Sequence, residues 1–167
     1  MTFVRPRLVL RDEVDPVRWN GEEGRFLLRQ EDTGGLFSFM ELTTAPGSGP
    51  PVHVHELEDE AFLVLEGRYE IGLDGERHLA EPGTLVFSPR GIAHEFRNIT
   101  TAPAKMLLIV TPGGVEQFFT GLSRLFAGEQ RPSGDEVLAL AAAHRIRGFE
   151  AGPPGLGGGR PTVAHSS

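Results

Sequence analysis

The sequence predicts a single-domain, mainly β fold followed by two helices, and three observations support this prediction. Glycine and proline are frequent, at 22 and 13 of 167 residues, which indicates many turns and therefore many short strands. Apolar runs of strand length alternate with these turns. After about residue 112 the apolar residues change to helical spacing. Several short strands at such intervals favour a barrel or a sandwich.

Four apolar runs have the length expected of β-strands, and glycine or proline lies at their ends, as at Pro82-Gly83. The predicted barrel covers about residues 34–112. The four runs are residues 36–42, 61–67, 84–89 and 106–111.

Two helices are predicted after the barrel, over about residues 113–148. The first carries apolar residues at helical spacing and ends near Gly128. The second begins at Ser133, where Glu136 completes a capping-box pattern, and ends near Gly148. We expect one domain over residues 1–150. Residues 151–167, which have no apolar period, have the composition of a flexible tail without function.

Charge and composition narrow the functional classes. The formal charge is −7 and the acidic residues are scattered, which argues against binding to nucleic acid or to an anionic membrane. There are no cysteines, so disulfides, thiolate metal sites and cysteine catalysis are excluded. No apolar run has the length of a signal peptide or a membrane span, and we expect a cytoplasmic protein that binds a small molecule.

A histidine pair marks the first candidate site segment. His53 and His55 are two residues apart, so in a strand both side chains point to one face, as two imidazoles that bind one metal require. Glu60 follows on the next predicted strand, where Glu60 and Phe62 share the inward face. The segment therefore predicts three ligands at the same interior point.

A second segment, residues 83–98, supplies another histidine. His94 shares one face of a strand-like stretch with Phe96 and Asn98. Three imidazoles and one carboxylate form an open nitrogen and oxygen site, suited to one divalent transition metal: Fe, Mn, Co, Ni, Cu or Zn. We predict the metal ligands to be His53, His55, Glu60 and His94.

Both segments resemble the two motifs of the cupin superfamily. The first family motif is glycine, five residues, His-x-His, four residues, glutamate, six residues and glycine. The second is glycine, five residues, Pro-x-Gly, two residues, histidine, three residues and asparagine. The matching positions are Gly47, His53, His55, Glu60 and Gly67 for the first motif, and Gly83, Pro89, Gly91, His94 and Asn98 for the second.

The resemblance implies a jelly-roll barrel, the cupin double-stranded β-helix, in a homodimer, with the metal bound inside. Over about residues 34–126 the sequence is similar to those of bacterial single-domain cupins related to quercetin 2,3-dioxygenase. That similarity implies that Glu60 is both a metal ligand and the catalytic proton acceptor. The fold alone does not determine the reaction.

Other residues have less specific interpretations. Phe62 and Phe96 are candidates for an apolar pocket, although core packing explains them as well. Glu58 and Asp59 are interpreted as solvated acids rather than ligands. Arg90 could reach an anionic substrate, but it is interpreted as an exposed loop arginine without a specific role. The other histidines are expected at the surface: His78, His144 and His165.

Three functions remain open at this point. The first hypothesis is a quercetinase-like dioxygenase that binds a small aromatic or polyketide-like enol and O₂. The second is a non-oxidative metalloenzyme, such as a polyketide cyclase, isomerase or decarboxylase. The third is a non-catalytic binding cupin. Uptake of O₂ together with the identity of the metal distinguishes the first two.

Overall fold

The computed structural model describes residues 4–148, so the predicted tail at 151–167 and His165 lie outside the described residues. The described chain is mainly β-structure with three short helices. The strands are β1 Val17–Trp19, β2 Glu22–Leu28, β3 Ser38–Thr44, β4 Val54–His55, β5 Asp59–Glu66, β6 Tyr69–Leu73, β7 Glu76–Ala80, β8 Leu85–Ser88, β9 His94–Asn98, β10 Ala104–Thr111 and β11 Ile146–Arg147. The helices are α1 Gln30–Thr33, α2 Glu116–Phe126 and α3 Gly134–Ala143, and a 3-10 turn covers Arg11–Glu13.

The strands form antiparallel sheets that enclose one core, which confirms the mainly β, jelly-roll fold class. The largest sheet has the order β1-β2-β3-β10-β5-β8, a second has the order β7-β6-β9, and β4 pairs with β11. The sheet begins at Val17, earlier than the predicted barrel range of about 34–112. Successive side chains of a strand point to opposite faces of the sheet. In β3 the residues accordingly alternate between buried and half-buried along the whole strand, so one face packs against the core.

A backbone bridge connects the residue just before β4 to β9 of the three-stranded sheet. The amide of each of His53 and His94 donates to the carbonyl of the other at 2.9 Å. Gly49 allows the preceding segment to approach β9, since a Cβ there would lie 1.9 Å from the carbonyl oxygen of Phe96. The two histidine segments are therefore held together by backbone contacts.

The helices differ in part from the prediction. Helix α2 ends at Phe126 as the pattern indicated, and it contacts β1 and α3. Helix α3 has the predicted capping box at Ser133 but ends at Ala143, before Gly148. The reason is the positive φ of 58° at Arg145, which ends the helical conformation. The chain then changes direction, and the buried Ile146 pairs with His55. Among residues 4–148 no helix has the length and apolar character needed to cross a membrane.

Candidate metal centre

The four predicted ligands lie on three neighbouring segments of the barrel interior. His53 and His55 lie at β4, Glu60 is the second residue of β5, and His94 is the first residue of β9. All four side chains are buried, with relative exposures of 5% or less. The alternation along β5 buries Glu60 and Phe62 on the inward face, as the sequence predicted.

These residues converge on one point. One potential ligand atom from each lies within 4.8 Å of those of the other three. His94 Nε2 is 3.0 Å from Glu60 Oε2, and His55 Nε2 is 3.7 Å from Glu60 Oε1. We call His53, His55, Glu60 and His94 the ligand cluster.

A second layer of hydrogen bonds fixes the imidazole rings. His53 Nδ1 lies 2.9 Å from the carbonyl oxygen of Pro51, and His55 Nδ1 lies 3.3 Å from Glu58 Oε2. His94 Nδ1 lies 3.0 Å from Ser88 Oγ and 3.1 Å from the carbonyl oxygen of Ile92. The tautomer with its proton on Nδ1 leaves a free lone pair on Nε2, which is the state that a metal requires, whereas the hydrogen bond between His94 and Glu60 needs the proton on Nε2.

The electrostatics prepare the cluster for a cation. Burial lowers the pKa of His53 well below its usual value, and the neighbouring His94 and His55 lower it further, so this ring is neutral at pH 7. Burial raises the pKa of Glu60, but His55 and the hydrogen bond with His94 outweigh burial and bring it to about 2. Burial lowers the pKa of His55, whereas Glu60 and Glu58 raise it above its usual value. A neutral imidazole beside an ionised carboxylate fits a divalent metal.

The donor set also matches the chemistry of such an ion. Three nitrogen atoms and one carboxylate oxygen, without sulfur, are typical of Fe, Mn, Co, Ni, Cu and Zn sites. A buried carboxylate requires a compensating charge, and a divalent cation supplies it. The residues present therefore fit one divalent transition metal.

Three residues of the ligand cluster, His53, His55 and Glu60, border a small, largely apolar cavity, which we call the inner cavity. Its volume is about 20 Å³, enough for about one water. Phe96 lies on its wall, whereas Phe62 does not; Phe62 is fully buried, with its ring centroid 6.0 Å from that of His94. The lining residues are Trp19, Glu22, Leu42, Pro50, His53, His55, Glu60, Phe96, Leu108, Phe118 and Phe119.

The side chains around the site agree with their sequence interpretation in part: His78 and Arg90 are exposed as expected, whereas Glu58 is not. Glu58 is not a solvated acid, because it contacts the ring of His55. Asp59 and Arg90 bind each other, with both guanidinium contacts at 3.0 Å or less, so Arg90 does not face the inner cavity as a free cation. His78 is exposed, and His144 is half-buried with its ring 5.8 Å from that of Phe118.

The sequence interpretation missed the wall formed by Trp19, Glu22, Phe118 and Phe119. A local signal existed for the first two, because Asn20-Gly21 is a strong hairpin turn, which places Trp19 opposite Glu22. That signal predicts the pairing but not the position of either side chain beside residues far away in the chain.

Comparison with known proteins finds curated relatives whose names point to different chemistry. The chain is 34% identical over 113 residues to the polyketide synthase CurC of Streptomyces cyaneus, covering 67% of this chain and 73% of that protein. It is 28% identical over 122 residues to the quercetin 2,3-dioxygenase of Bacillus subtilis strain 168, covering 68% of this chain but 36% of that protein.

A solved structure and a family model agree with the fold. The polyketide cyclase RemF from Streptomyces resistomycificus superposes with a TM-score of 0.56 at 29% identity, covering 64% of this chain and 80% of that one. The model of the cupin domain matches residues 40–110, which contain the whole ligand cluster. The two histidine motifs, the antiparallel barrel and these similarities lead to one conclusion: the chain belongs to the cupin family.

Proposed function

We propose that this chain is a metal-dependent enzyme that acts on a small, enolic or phenolic, polyketide-like substrate. The observation that carries the proposal is the convergence of three imidazoles and a carboxylate within 4.8 Å beside an apolar cavity. The relatives named for polyketide chemistry support the substrate class.

Each residue of the site has a task in this proposal. His53, His55, Glu60 and His94 hold the metal, which when bound supplies a Lewis acid that polarises a substrate oxygen. Glu60 accepts the enol or phenol proton on a carboxylate oxygen as the substrate arrives. Glu58 and Ser88 keep the rings of His55 and His94 oriented.

The wall of the inner cavity excludes water from the reacting atoms. Phe96, Leu108 and Phe118 present apolar surface there, and Phe118 is 1% exposed. In such an environment a hydrogen bond or a charge acts more strongly than in water.

Two reaction classes fit this site. A non-oxidative cyclisation has the support of the polyketide cyclase RemF, which is matched over 80% of its chain. The dioxygenase reaction that heads the sequence-based hypotheses has the support of a relative matched over 36% of its length. We place the non-oxidative reaction first and O₂-dependent cleavage second.

Elemental analysis tests the metal. Protein purified without chelator should hold about one transition metal per chain, and the double variant His53→Ala, His55→Ala should lose it. His78→Ala is the matched control, because that histidine is exposed and outside the ligand cluster. Stoichiometric metal in the double variant would overturn the assignment.

Oxygen uptake separates the two reaction classes. The metal-loaded protein is mixed with flavonols and with poly-β-ketone analogues while dissolved O₂ is recorded. We expect conversion of a polyketide analogue without O₂ consumption. Stoichiometric O₂ consumption during conversion would favour the dioxygenase reaction over the cyclase-type reaction. If the metal-loaded protein converts neither the flavonols nor the poly-β-ketone analogues, the proposed substrate class is contradicted.

The expected homodimer and cytoplasmic location stay predictions. Strand β8 lies at the edge of the large sheet and exposes Leu85 at 66% and Phe87 at 58%, which is the kind of surface that a second copy covers. Analytical ultracentrifugation of the wild type and of Phe87→Glu tests this surface, and a monomeric wild type would contradict it.

A further inference from the structure

Glu22 is a buried acid on the wall of the inner cavity that the proposed function does not use. It is the first residue of β2, opposite Trp19 in the β1–β2 hairpin, and 7% of it is exposed. Its Oε2 accepts a hydrogen bond from Trp19 Nε1 at 2.9 Å. Its Oε1 is buried and has no hydrogen-bond partner among residues 4–148.

A structural role for the hairpin does not explain a carboxyl group here. The indole of Trp19 needs one acceptor, which a neutral amide or hydroxyl supplies without burying an ionisable group. Burial raises the pKa of Glu22 to about 8, although the hydrogen bond from Trp19 lowers it in part. At pH 7 the carboxyl is therefore mostly protonated, and its O–H is a donor.

The surroundings of Glu22 leave that donor available. The titratable groups that face it are the hydroxyl of Tyr69 within the barrel and the ligand cluster across the inner cavity. The rest of the inner cavity wall is largely apolar, with Leu42, Leu108 and Phe119. A substrate in this cavity therefore meets the ligand cluster and Glu22 as its main polar contacts.

The position of Glu22 also fits the path of entry. An open cleft of about 410 Å³, which we call the outer cleft, includes Trp19 and Glu22 in its wall, and both residues also line the inner cavity. The inner cavity has room for only about one water, so a substrate must enlarge it. The Trp19–Glu22 pair is the shared boundary of the two spaces, and a substrate that crosses it contacts the carboxyl.

We propose that Glu22 is a substrate-binding acid of this site, which donates a hydrogen bond from its carboxyl group to a carbonyl or hydroxyl oxygen of the substrate while another oxygen of the substrate faces the ligand cluster. The inference rests on the proposed function, because it takes the inner cavity as the substrate site. It assigns a polar contact for substrates that carry a second oxygen, as polyketide-like enols do.

The single tryptophan of the chain gives a direct readout of Glu22. The indole N–H resonance of ¹⁵N-labelled, zinc-loaded protein reports on its hydrogen-bond acceptor, the Glu22 carboxyl. In a pH titration we expect a transition in the wild type above the usual pH range of a carboxyl group, because burial raises the pKa of Glu22, and its absence in Glu22→Gln. Glu23→Gln is the matched control, because the neighbouring side chain lies outside the inner cavity and pairs with Arg18 and Arg25.

Tropolone, a small enolic ketone, serves as the substrate probe. If the protonated carboxyl donates to the bound probe, binding must favour protonation, and saturating tropolone raises the titration midpoint by about one pH unit when the hydrogen bond is worth about tenfold in affinity. By calorimetry at pH 7, Glu22→Met should bind tropolone about tenfold more weakly, whereas Glu22→Gln, whose amide still donates, stays within about threefold.

The outcomes separate this inference from the proposed function. If the wild type binds tropolone but the midpoint does not move, or if Glu22→Met binds as tightly as the wild type, Glu22 serves the hairpin alone and only this inference fails. If Glu22→Met does not fold, the midpoint in the wild type decides. If the zinc-loaded wild type does not bind tropolone, the proposed function and this inference are both contradicted.

Discussion

The two walls of the inner cavity are built on different principles. On one wall lie the imidazoles of His53 and His55, with that of His94 beside them, and each ring has a hydrogen-bonded Nδ1, so the rings are fixed before a metal arrives. On the other wall, Trp19 and Glu22 share one hydrogen bond, and one carboxyl oxygen has none among the described residues. The comparison indicates that the wall with the histidines, which we call the metal wall, is rigid. The wall with Trp19 and Glu22, which we call the substrate wall, has spare hydrogen-bonding capacity.

The largest expected effect is on folding stability and comes from Glu22 on the substrate wall. Between pH 4.5 and 8 the unfolded chain releases the Glu22 proton while the folded protein keeps it, so the wild type loses stability as the pH rises through this window. Glu22→Gln has no such loss and should become more stable than the wild type by on the order of 3 kcal/mol at pH 8. Urea unfolding at pH 5 and pH 8 measures the difference, with Glu23→Gln as the control.

This stability gain tests whether Glu22 is protonated in the folded protein, on which the difference between the two walls depends. An equal difference between Glu22→Gln and the wild type at both pH values would mean that Glu22 is ionised in the folded protein. The substrate wall would then have no proton to donate.

A smaller effect is expected on the metal wall. Ser88→Ala removes the hydroxyl 3.0 Å from His94 Nδ1 and leaves that nitrogen with the carbonyl oxygen of Ile92 at 3.1 Å; loss of one such contact to a ligand ring weakens metal binding by about tenfold. Competition with a chelating dye measures the affinity. Thr84→Ala is the matched control, since its hydroxyl accepts from the Glu81 amide just before β8, at the opposite end of that strand from Ser88. Equal affinity in Ser88→Ala would show that the ring needs no such support.

The smallest effect is expected just outside the inner cavity. Arg90→Ala breaks an exposed ion pair with Asp59, and exposed pairs are screened by water and salt. We expect unchanged metal content and no change in Tm beyond the reproducibility of the measurement. A loss of metal in this variant would mean that the ion pair between Asp59 and Arg90 also supports the metal ligands.

The metal wall could be predicted from the sequence because it depends on local rules. A two-residue period places His53 with His55 and Glu60 with Phe62, and the structure buries these faces as predicted. The backbone bridge between His53 and His94 then brings the two motifs together.

The substrate wall could not be predicted in the same way. The Asn20-Gly21 turn indicates the hairpin, but the place of Glu22 in the inner cavity depends on how β2 pairs with β3 and on where α2 packs. The early end of α3 has a similar cause, because the pairing of Ile146 with His55 overrides a continuous helical pattern.

The most direct test of the central claim is a crystal structure with anomalous diffraction recorded at the absorption edge of the bound metal. The account predicts one strong peak per chain, about 2.0 to 2.2 Å from Nε2 of each histidine and from a carboxylate oxygen of the ligand cluster. A peak elsewhere on the protein, or none in a metal-loaded crystal, would contradict it.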